Sequence, residues 1–309
     1  MFLLLNTRAF GGHALKKWDR IKNSLPLVEF EAGHKVDNNS NANLDISNAI
    51  LKGERKFIAA GGDGTINYLL NEILSNPSKT IIDEIQIGAI GLGSSNDFHK
   101  PMNSNRLING IPCKVDFTTT TKRDVGCITY VHNARRIKKY FLINASIGVT
   151  AEANYFFNHP NFILKLFKRI NTSAAIIYSA IHTIMRYKNI ELKMIDSNKI
   201  AKIFRVANLA ITKSPYISGN LKLNYTPNYN NGLLNIHLLC DTTKIELIKI
   251  LHQLQNNKAN AANVFNSSQS NSIIINAEKP FKVEFDGEII RTHWVRFSLL
   301  KKRIRVCMN

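Results

Sequence analysis

Cysteine is sparse in this chain and scattered. Cys113, Cys127, Cys240 and Cys307 form no Cys-x-x-Cys pair and no Cys/His cluster with zinc-ligand spacing. That scatter argues against a disulfide framework and a structural zinc site, and reduced, partly buried thiols of a cytosolic protein are expected. Long apolar runs are missing too. The longest extends from Ala174 to Met185 and contains His182, short of the ~20 residues that a membrane-spanning helix needs. The opening Met1–Leu5 lacks a preceding basic segment and is too short for a signal-peptide core. The third shortage is of acid, 22 Asp and Glu against 41 Lys and Arg, for a formal net charge of +19. That imbalance points to an anionic partner: nucleic acid, acidic lipid or a phosphorylated metabolite. Nucleic acid is the weakest of the three, because the chain has no zinc finger, no recognition-helix motif and no strand that interleaves aromatic with basic residues.

What is present is enough apolar material, 44 % of 309 residues, for about two buried cores. In the first part, short apolar runs alternate with helical patterns. Phe2–Leu5 predicts a strand, His13–Ser24 a helix, Leu27–Phe30 a strand and Leu44–Lys52 a helix stopped by Gly53. Phe57–Ala60 predicts a buried strand. Beyond it Ile66, Leu69, Leu70, Ile73 and Leu74 recur at helical spacing, and Ile85–Leu92 predicts the next strand. Such alternation argues for an α/β domain with a parallel sheet that binds its ligand at the carboxyl ends of the strands. After about residue 110 the texture becomes strand-rich, interrupted by one helical region from Thr150 to Tyr187. Strands are expected at Ile190–Ile195, Ile203–Thr212, Leu233–Leu239, Ser272–Ala277, Phe281–Phe285 and Val295–Leu300, in a sandwich or barrel. Asn256–Ser272 reads as an exposed loop. The boundary falls between Ile111 and Arg123, giving domains of 1–122 and 123–299.

The most informative local feature is Gly61-Gly62-Asp63-Gly64-Thr65, set between a strand and an amphipathic helix. Glycines permit positive φ and close approach to the backbone, while the N–H groups and dipole of a helix start favour phosphate. Thr65 and Asn67 add a hydroxyl and an amide. Asp63 is the odd member, because a carboxylate among phosphate donors calls for a cation between, such as the Mg²⁺ that accompanies a nucleoside triphosphate. Neither GxxxxGK[ST] nor GxGxxG fits the sequence. The bland alternative is a tight turn in which Asp63 caps the helix.

The companions of this loop resemble the diacylglycerol kinase catalytic-domain family, of the soluble bacterial lipid kinase type. Asn6-Thr7-Arg8-Ala9-Phe10-Gly11-Gly12 is similar to the family's opening loop, and Gly61–Asn67 to its Gly-Gly-Asp-Gly-Thr-x-Asn run. Gly91-Leu92-Gly93-Ser94-Ser95-Asn96-Asp97-Phe98 resembles its Pro-x-Gly-Thr-x-Asn-Asp-Phe box. Arg123–Gly126, Phe141–Ala151 and Asp286-Gly287-Glu288 match later motifs in the right order.

The resemblance implies a nucleotide-binding α/β domain followed by a β-sandwich lipid-substrate domain, with the last strand, about 300–309, returning to the first. It implies ATP and Mg²⁺, and transfer of the γ-phosphate to a lipid hydroxyl, most simply that of diacylglycerol to give phosphatidic acid. Asn6, Gly61, Gly62, Asp63, Gly64, Thr65, Asn67, Gly93 and Ser94 would hold nucleotide. Asn96, Asp97 and Asp124 would join the substrate and Mg²⁺ network. Glu288 would be the base, with Asp286 and Asp63 completing the catalytic set; the competing reading of Asp286-Gly287 is a type I′ hairpin turn. The family's structural cation beside an Asp-Gly-Leu turn corresponds here to Asn231-Gly232-Leu233, where loss of the carboxylate weakens a divalent site.

Phe162–Ile170, with Lys165, Lys168 and Arg169, suits either a peripheral contact with an anionic membrane surface or an ordinary amphipathic core helix. A membrane-lipid substrate and a cytoplasmic location at the inner face of the membrane follow from the resemblance. Sphingoid-base kinase and a catalytically weak nucleotide- or lipid-binding module of the same fold are the alternatives. NAD kinase, which shares Gly-Gly-Asp-Gly, is disfavoured by the terminal Asp-Gly-Glu.

Overall fold

A computed structural model describes residues 1–25, 34–35, 42–76, 79–102, 107–218, 221–259 and 264–308. The chain divides into two compact units, Met1–Val125 with Lys301–Asn309, and Gly126–Leu300.

The first unit is built on strands that are buried along almost their whole length, as a sheet covered on both faces requires. Its elements in chain order are β1 (Phe2–Leu5), α1 (Ala14–Ile21), β2 (His34–Lys35), α2 (Ala42–Leu51), β3 (Lys56–Gly61), α3 (Asp63–Leu74), α4 (Lys79–Glu84), β4 (Gln86–Gly91), β5 (Leu107–Ile108), β6 (Ile111–Lys114) and the start of β7 (Thr120–His132). β2, β1, β3 and β4 pair side by side, all parallel. Along the free side of β4, β6 pairs antiparallel at Ala89 and Ile90, and the chain's last strand pairs parallel at Gln86 and Ile87. Leu3, Leu5, Ile58, Ala60, Ile90 and Leu92 join Ala14 and Ile21 of α1 in one apolar cluster. α2 ends where Gly53 takes φ 93°. The strand expected at Leu27–Phe30 lies outside the described residues.

The second unit continues with β8 (Arg135–Phe141), β9 (Asn144–Gly148), α5 (Val149–Asn158), α6 (Phe162–Ile170), α7 (Thr172–Arg186), β10 (Ile190–Ile195), β11 (Ala201–Thr212), β12 (Tyr216–Ser218), β13 (Leu221–Lys222), β14 (Leu234–Cys240), α8 (Lys244–Gln255), β15 (Asn266–Ser270), β16 (Ser272–Phe285) and β17 (Glu288–Cys307), whose last residues belong to the first unit. Its pairing is antiparallel. Where two stacked sheets were expected, hydrogen bonds link these strands into one run, because β9 and β10 each pair with both β11 and β16. Residues from β7 to β11, β14, β16 and β17 meet in a single apolar cluster around Phe141, Ile147, Leu209, Val283 and Phe297.

Three sequence expectations need correction. The helical region breaks into α5, α6 and α7, the last two each starting at an Asn whose side chain caps the first turn, Asn161 and Asn171. A further helix, α8, follows β14; it opens on a capping box in which Thr243 and Glu246 bond reciprocally. The supposed loop Asn256–Ser272 contains β15, whose polar residues pair with β14.

Candidate functional site

In the first unit the two glycine turns pack directly against each other. An added Cβ on Gly93 would lie 2.5 Å from the Gly62 Cα, and one on Gly61 would lie 2.2 Å from the Thr65 Oγ1. Gly93 is thus explained first by packing on the Gly62 backbone, and Gly61 by the close approach of the Thr65 side chain. Leu92 and Gly93 both donate their N–H to the Gly61 carbonyl (2.8 and 3.1 Å). Asn6 donates from its amide to Thr65 Oγ1 at 3.0 Å. Asp63 opens α3, and its two oxygens accept the backbone N–H of Asp97 and Phe98, each at 3.0 Å. Asn96, at φ 50°, donates from Nδ2 to the carbonyls of Gly91 and Gly93 (3.1 and 3.2 Å).

Gly62, Asp63 and Gly64 remain half-buried and Ser94 is exposed, so the start of α3 and the Ser94 hydroxyl are within reach of solvent. Thr65 is buried. Asn67 is buried as well, and its Oδ1 accepts from Asn71 Nδ2 at 3.0 Å inside α3; the amide expected on the nucleotide side lies within the helix packing.

Lys17 is the residue here that sequence reasoning missed. Its Nζ donates to the Gly93 carbonyl at 2.9 Å and sits 4.4 Å from the centre of the Phe10 ring. Burial, then the charge of Arg20, lowers its pKa from the usual lysine value. No motif marks it, because it reaches the turn across 76 positions of sequence.

In the second unit β16 and β17 form a hairpin in which Phe285 faces Glu288 and the turn residues Asp286 and Gly287 have φ 44° and 93°. This is the type I′ geometry that Asp-Gly favours. The Asp286 carboxylate is buried and accepts three backbone N–H groups, from Leu142 (2.6 Å), Ile143 (3.0 Å) and Asn144 (3.0 Å). Glu288 is exposed at the start of β17. Burial, and then the Glu288 charge, raises the pKa of the Tyr130 phenol, so this carboxylate and that hydroxyl are electrostatic neighbours. Glu284, another missed residue, is 3 % exposed and accepts from Ser146 Oγ and the Gly287 N–H, both at 2.9 Å. Strand alternation sets it opposite Val283 and Phe285, on a face that reads as solvent from sequence. One of its partners, Ser146, lies 138 positions away along the chain.

The expected cation ligands are engaged by the chain itself. Asp63 holds two backbone N–H groups, Asp97 pairs with Lys100 at 2.7 Å and accepts from Ser95 Oγ, and Asp124 accepts the N–H of Lys302 at 2.9 Å. Among the described residues no group of three or more His, Cys, Asp or Glu side chains is placed to hold a metal ion. At Asn231-Gly232-Leu233 the inward oxygens, Asn231 Oδ1 and the Leu233 carbonyl, accept instead from Lys213 Nζ at 3.1 and 2.9 Å.

All four cysteines are free, and burial pushes the thiols of Cys113 and Cys307 up to about 12. Among the described residues no helix is long and apolar enough to cross a membrane.

A parallel α/β unit whose glycine turns meet at the start of a helix, followed by an antiparallel unit with a buried acidic hairpin, is the architecture of a two-part α/β protein with an extensive sheet. The comparison with known proteins makes this specific. Residues 1–128 match the family described as the diacylglycerol kinase catalytic domain. A diacylglycerol kinase of Staphylococcus haemolyticus (strain JCSC1435) is 28 % identical over 142 residues, 43 % of this chain and 39 % of that protein. A diacylglycerol kinase of Staphylococcus aureus (strain MRSA252) is 29 % identical over 147 residues, 44 % of this chain and 42 % of that protein. The match thus spans about two fifths of the relatives' length. The crystal structure of a diacylglycerol kinase from Bacillus anthracis str. Sterne superposes with a TM-score of 0.70 at 17 % identity, over 100 % of this chain and 96 % of that one, which establishes the shared fold.

Proposed function

We propose that this protein is an ATP-dependent lipid kinase that transfers the γ-phosphate to a lipid hydroxyl, with diacylglycerol as the first acceptor to test. The single observation that carries the reading is the paired glycine turn at the start of α3, with Lys17 beside it. A phosphate chain meets there the positive end of a 12-residue helix, a lysine ammonium and the Ser94 hydroxyl. Gly61, Gly62, Gly64 and Gly93 shape the turn, Asn6 and Thr65 brace it, and Asp63 and Asn96 hold the segment that follows Ser94. Mg²⁺ enters as part of the nucleotide substrate, its ligands being phosphate and water.

In this reading Glu288 is the base that takes the proton from the acceptor hydroxyl, and Asp286 is a positioning residue. A carboxylate suits the task when it is solvent-accessible and unhindered; Glu288 is exposed whereas Asp286 is buried under three N–H donors. The acceptor is embedded in a bilayer, and α6 offers a surface for reaching it. Phe162 (82 % exposed), Ile163, Leu166 and Ile170 (74 %) are left uncovered, with Lys165 and Arg169 exposed among them. A core helix would bury those apolar residues; here only Leu164 is buried. Such a face lies in the headgroup region of an anionic membrane, at ~1 kcal/mol per Lys or Arg near the surface.

The test is purified protein with Mg-ATP and mixed vesicles of anionic lipid carrying diacylglycerol, a sphingoid base or neither. Labelled phosphate should appear on diacylglycerol, fall by about 10²-fold or more in Glu288→Gln with nucleotide binding retained, and fall as salt rises. Phosphate on the sphingoid base alone would reassign the acceptor. Nucleotide binding without transfer to any lipid would reduce the protein to a binding module.

A further inference from the structure

Lys213 directly follows β11 and is 0 % exposed, one of the largest side chains to be fully buried. An ammonium survives such burial only when oxygens replace its water. Two of them come from one turn, Asn231 Oδ1 at 3.1 Å and the Leu233 carbonyl at 2.9 Å. Gly232 takes φ 72°, and the Asn231 Oδ1 also accepts the Leu233 N–H at 3.1 Å, so the turn folds both oxygens inward toward the charge.

This is the turn at which the family resemblance implies a divalent cation beside an Asp. We propose that Lys213 is a built-in cation that replaces that ion: its Nζ occupies the oxygens of the Asn231–Leu233 turn and makes the turn independent of divalent metal. The charge balance is conserved by the exchange. A divalent ion with a carboxylate carries a net charge of one, and so does an ammonium with a carboxamide. The geometry suits an ammonium too, since its N–H groups reach oxygens near 2.9 Å, whereas Mg²⁺ and Ca²⁺ need six or more oxygens at roughly 2.0–2.6 Å.

The site also has structural leverage. The backbone N–H groups of Lys213 and Ser214 both donate to the Ile143 carbonyl (2.9 and 3.1 Å), and the Ile143 N–H donates to Asp286. The cationic end of β11 and the Asp286 hairpin thus share one peptide segment.

The test uses the full chain and melting temperature as readout, with metal content measured alongside. The wild type should purify with no stoichiometric divalent ion and melt at the same temperature in EDTA, Mg²⁺ or Ca²⁺. Asn231→Asp alone, with the ammonium retained, should stay insensitive to these ions. Lys213→Ala combined with Asn231→Asp rebuilds a divalent site; its melting point should rise by about 3–6 °C in saturating Mg²⁺ or Ca²⁺ and fall back in EDTA. A wild type that carries a bound divalent ion and loses stability in EDTA would overturn the proposal. So would a single Asn231→Asp variant that gains metal dependence while Lys213 remains in place.

Discussion

Two aspartates, one in each unit, solve the same problem in different surroundings. Asp63 and Asp286 each hold a separate stretch of backbone by accepting its N–H groups. Asp63 holds Asp97 and Phe98, 34 and 35 positions away, from a half-buried place at the start of α3. Asp286 holds Leu142, Ile143 and Asn144, up to 144 positions away, from a buried hairpin turn. A carboxylate that accepts backbone N–H groups competes with water at the first site and has no such competitor at the second. The same chemistry is therefore a local brace in the first unit and a tertiary anchor in the second.

The largest expected effect follows from that contrast. In Asp286→Asn an amide group replaces one acceptor oxygen and points donors at donors, with the charge lost in a dry site. Unfolding free energy should fall by about 4 kcal/mol, the sum of one or two orphaned buried donors and weakened charge-assisted bonds. Denaturant titration would measure it. A loss below about 1 kcal/mol would mean that Asp286 is not the anchor of the hairpin.

How far each unit could be read in advance follows the same division. The first unit's candidate site is made of contiguous turns, Gly61–Thr65 and Gly91–Phe98, so its outline stands in the order of the letters. The strand–turn–helix sequence around Asp63 was legible because apolar periodicity switches at the glycines. Lys17 was not, since a lysine on an amphipathic helix is indistinguishable from a solvated one until Gly93 is found beside it. In the second unit the Asp286-Gly287 turn was legible from turn chemistry, but Glu284, Lys213 and His237 were not. Alternation would send Glu284 and His237 to solvent, Lys213 continues the core face of Leu209 and Ile211 past the end of β11, and each is held inside by a partner on another strand or turn. The helix α8 does carry a sequence signal, Thr243 and Glu246 in capping-box spacing ahead of Leu247, Leu251 and Leu254. Asn266–Ser270 lacked any, as an all-polar strand is defined only by the neighbour it pairs with.

A middle-sized effect would sharpen the contrast through pH. His237 on β14 is 3 % exposed, its Nδ1 lies 2.9 Å from Ser267 Oγ, and the rings of Tyr225 and Phe265 stand 5.2 and 6.1 Å away. Burial lowers its pKa from 6.5 to about 4. The unfolded chain therefore takes up a proton near pH 6.5 that the folded one refuses until about pH 4. This group's stabilising contribution is intact above pH 6.5, declines as pH falls, and is fully lost below about pH 4. Between pH 7.5 and pH 5 the loss from this residue alone is about 2 kcal/mol. His237→Phe, which keeps an aromatic ring among aromatic neighbours, should flatten the wild-type slope by that amount. Equal slopes in the two proteins would show that the imidazole is protonated in place.

The smallest effect belongs to Asp63→Asn, and its size decides whether the comparison holds. The amide keeps one acceptor oxygen for either the Asp97 or the Phe98 N–H, and water can reach the other because the site is half-buried. The helix start also loses a favourable negative charge, worth a few tenths of a kcal/mol to ~1 kcal/mol. Together these should lower unfolding free energy by about 1–1.5 kcal/mol, well under the loss at Asp286. The consequence for binding should be larger than the consequence for folding. The segment from Ser94 to Phe98 is held on α3 by these two bonds, so its loosening should weaken Mg-ATP binding by roughly tenfold, or 1.4 kcal/mol. Calorimetric titration beside denaturant melts separates the two quantities. A loss of stability matching that of Asp286→Asn, with nucleotide affinity unchanged, would make Asp63 a tertiary anchor like its counterpart. The distinction between a brace beside a binding turn and a dry structural tie would then be gone.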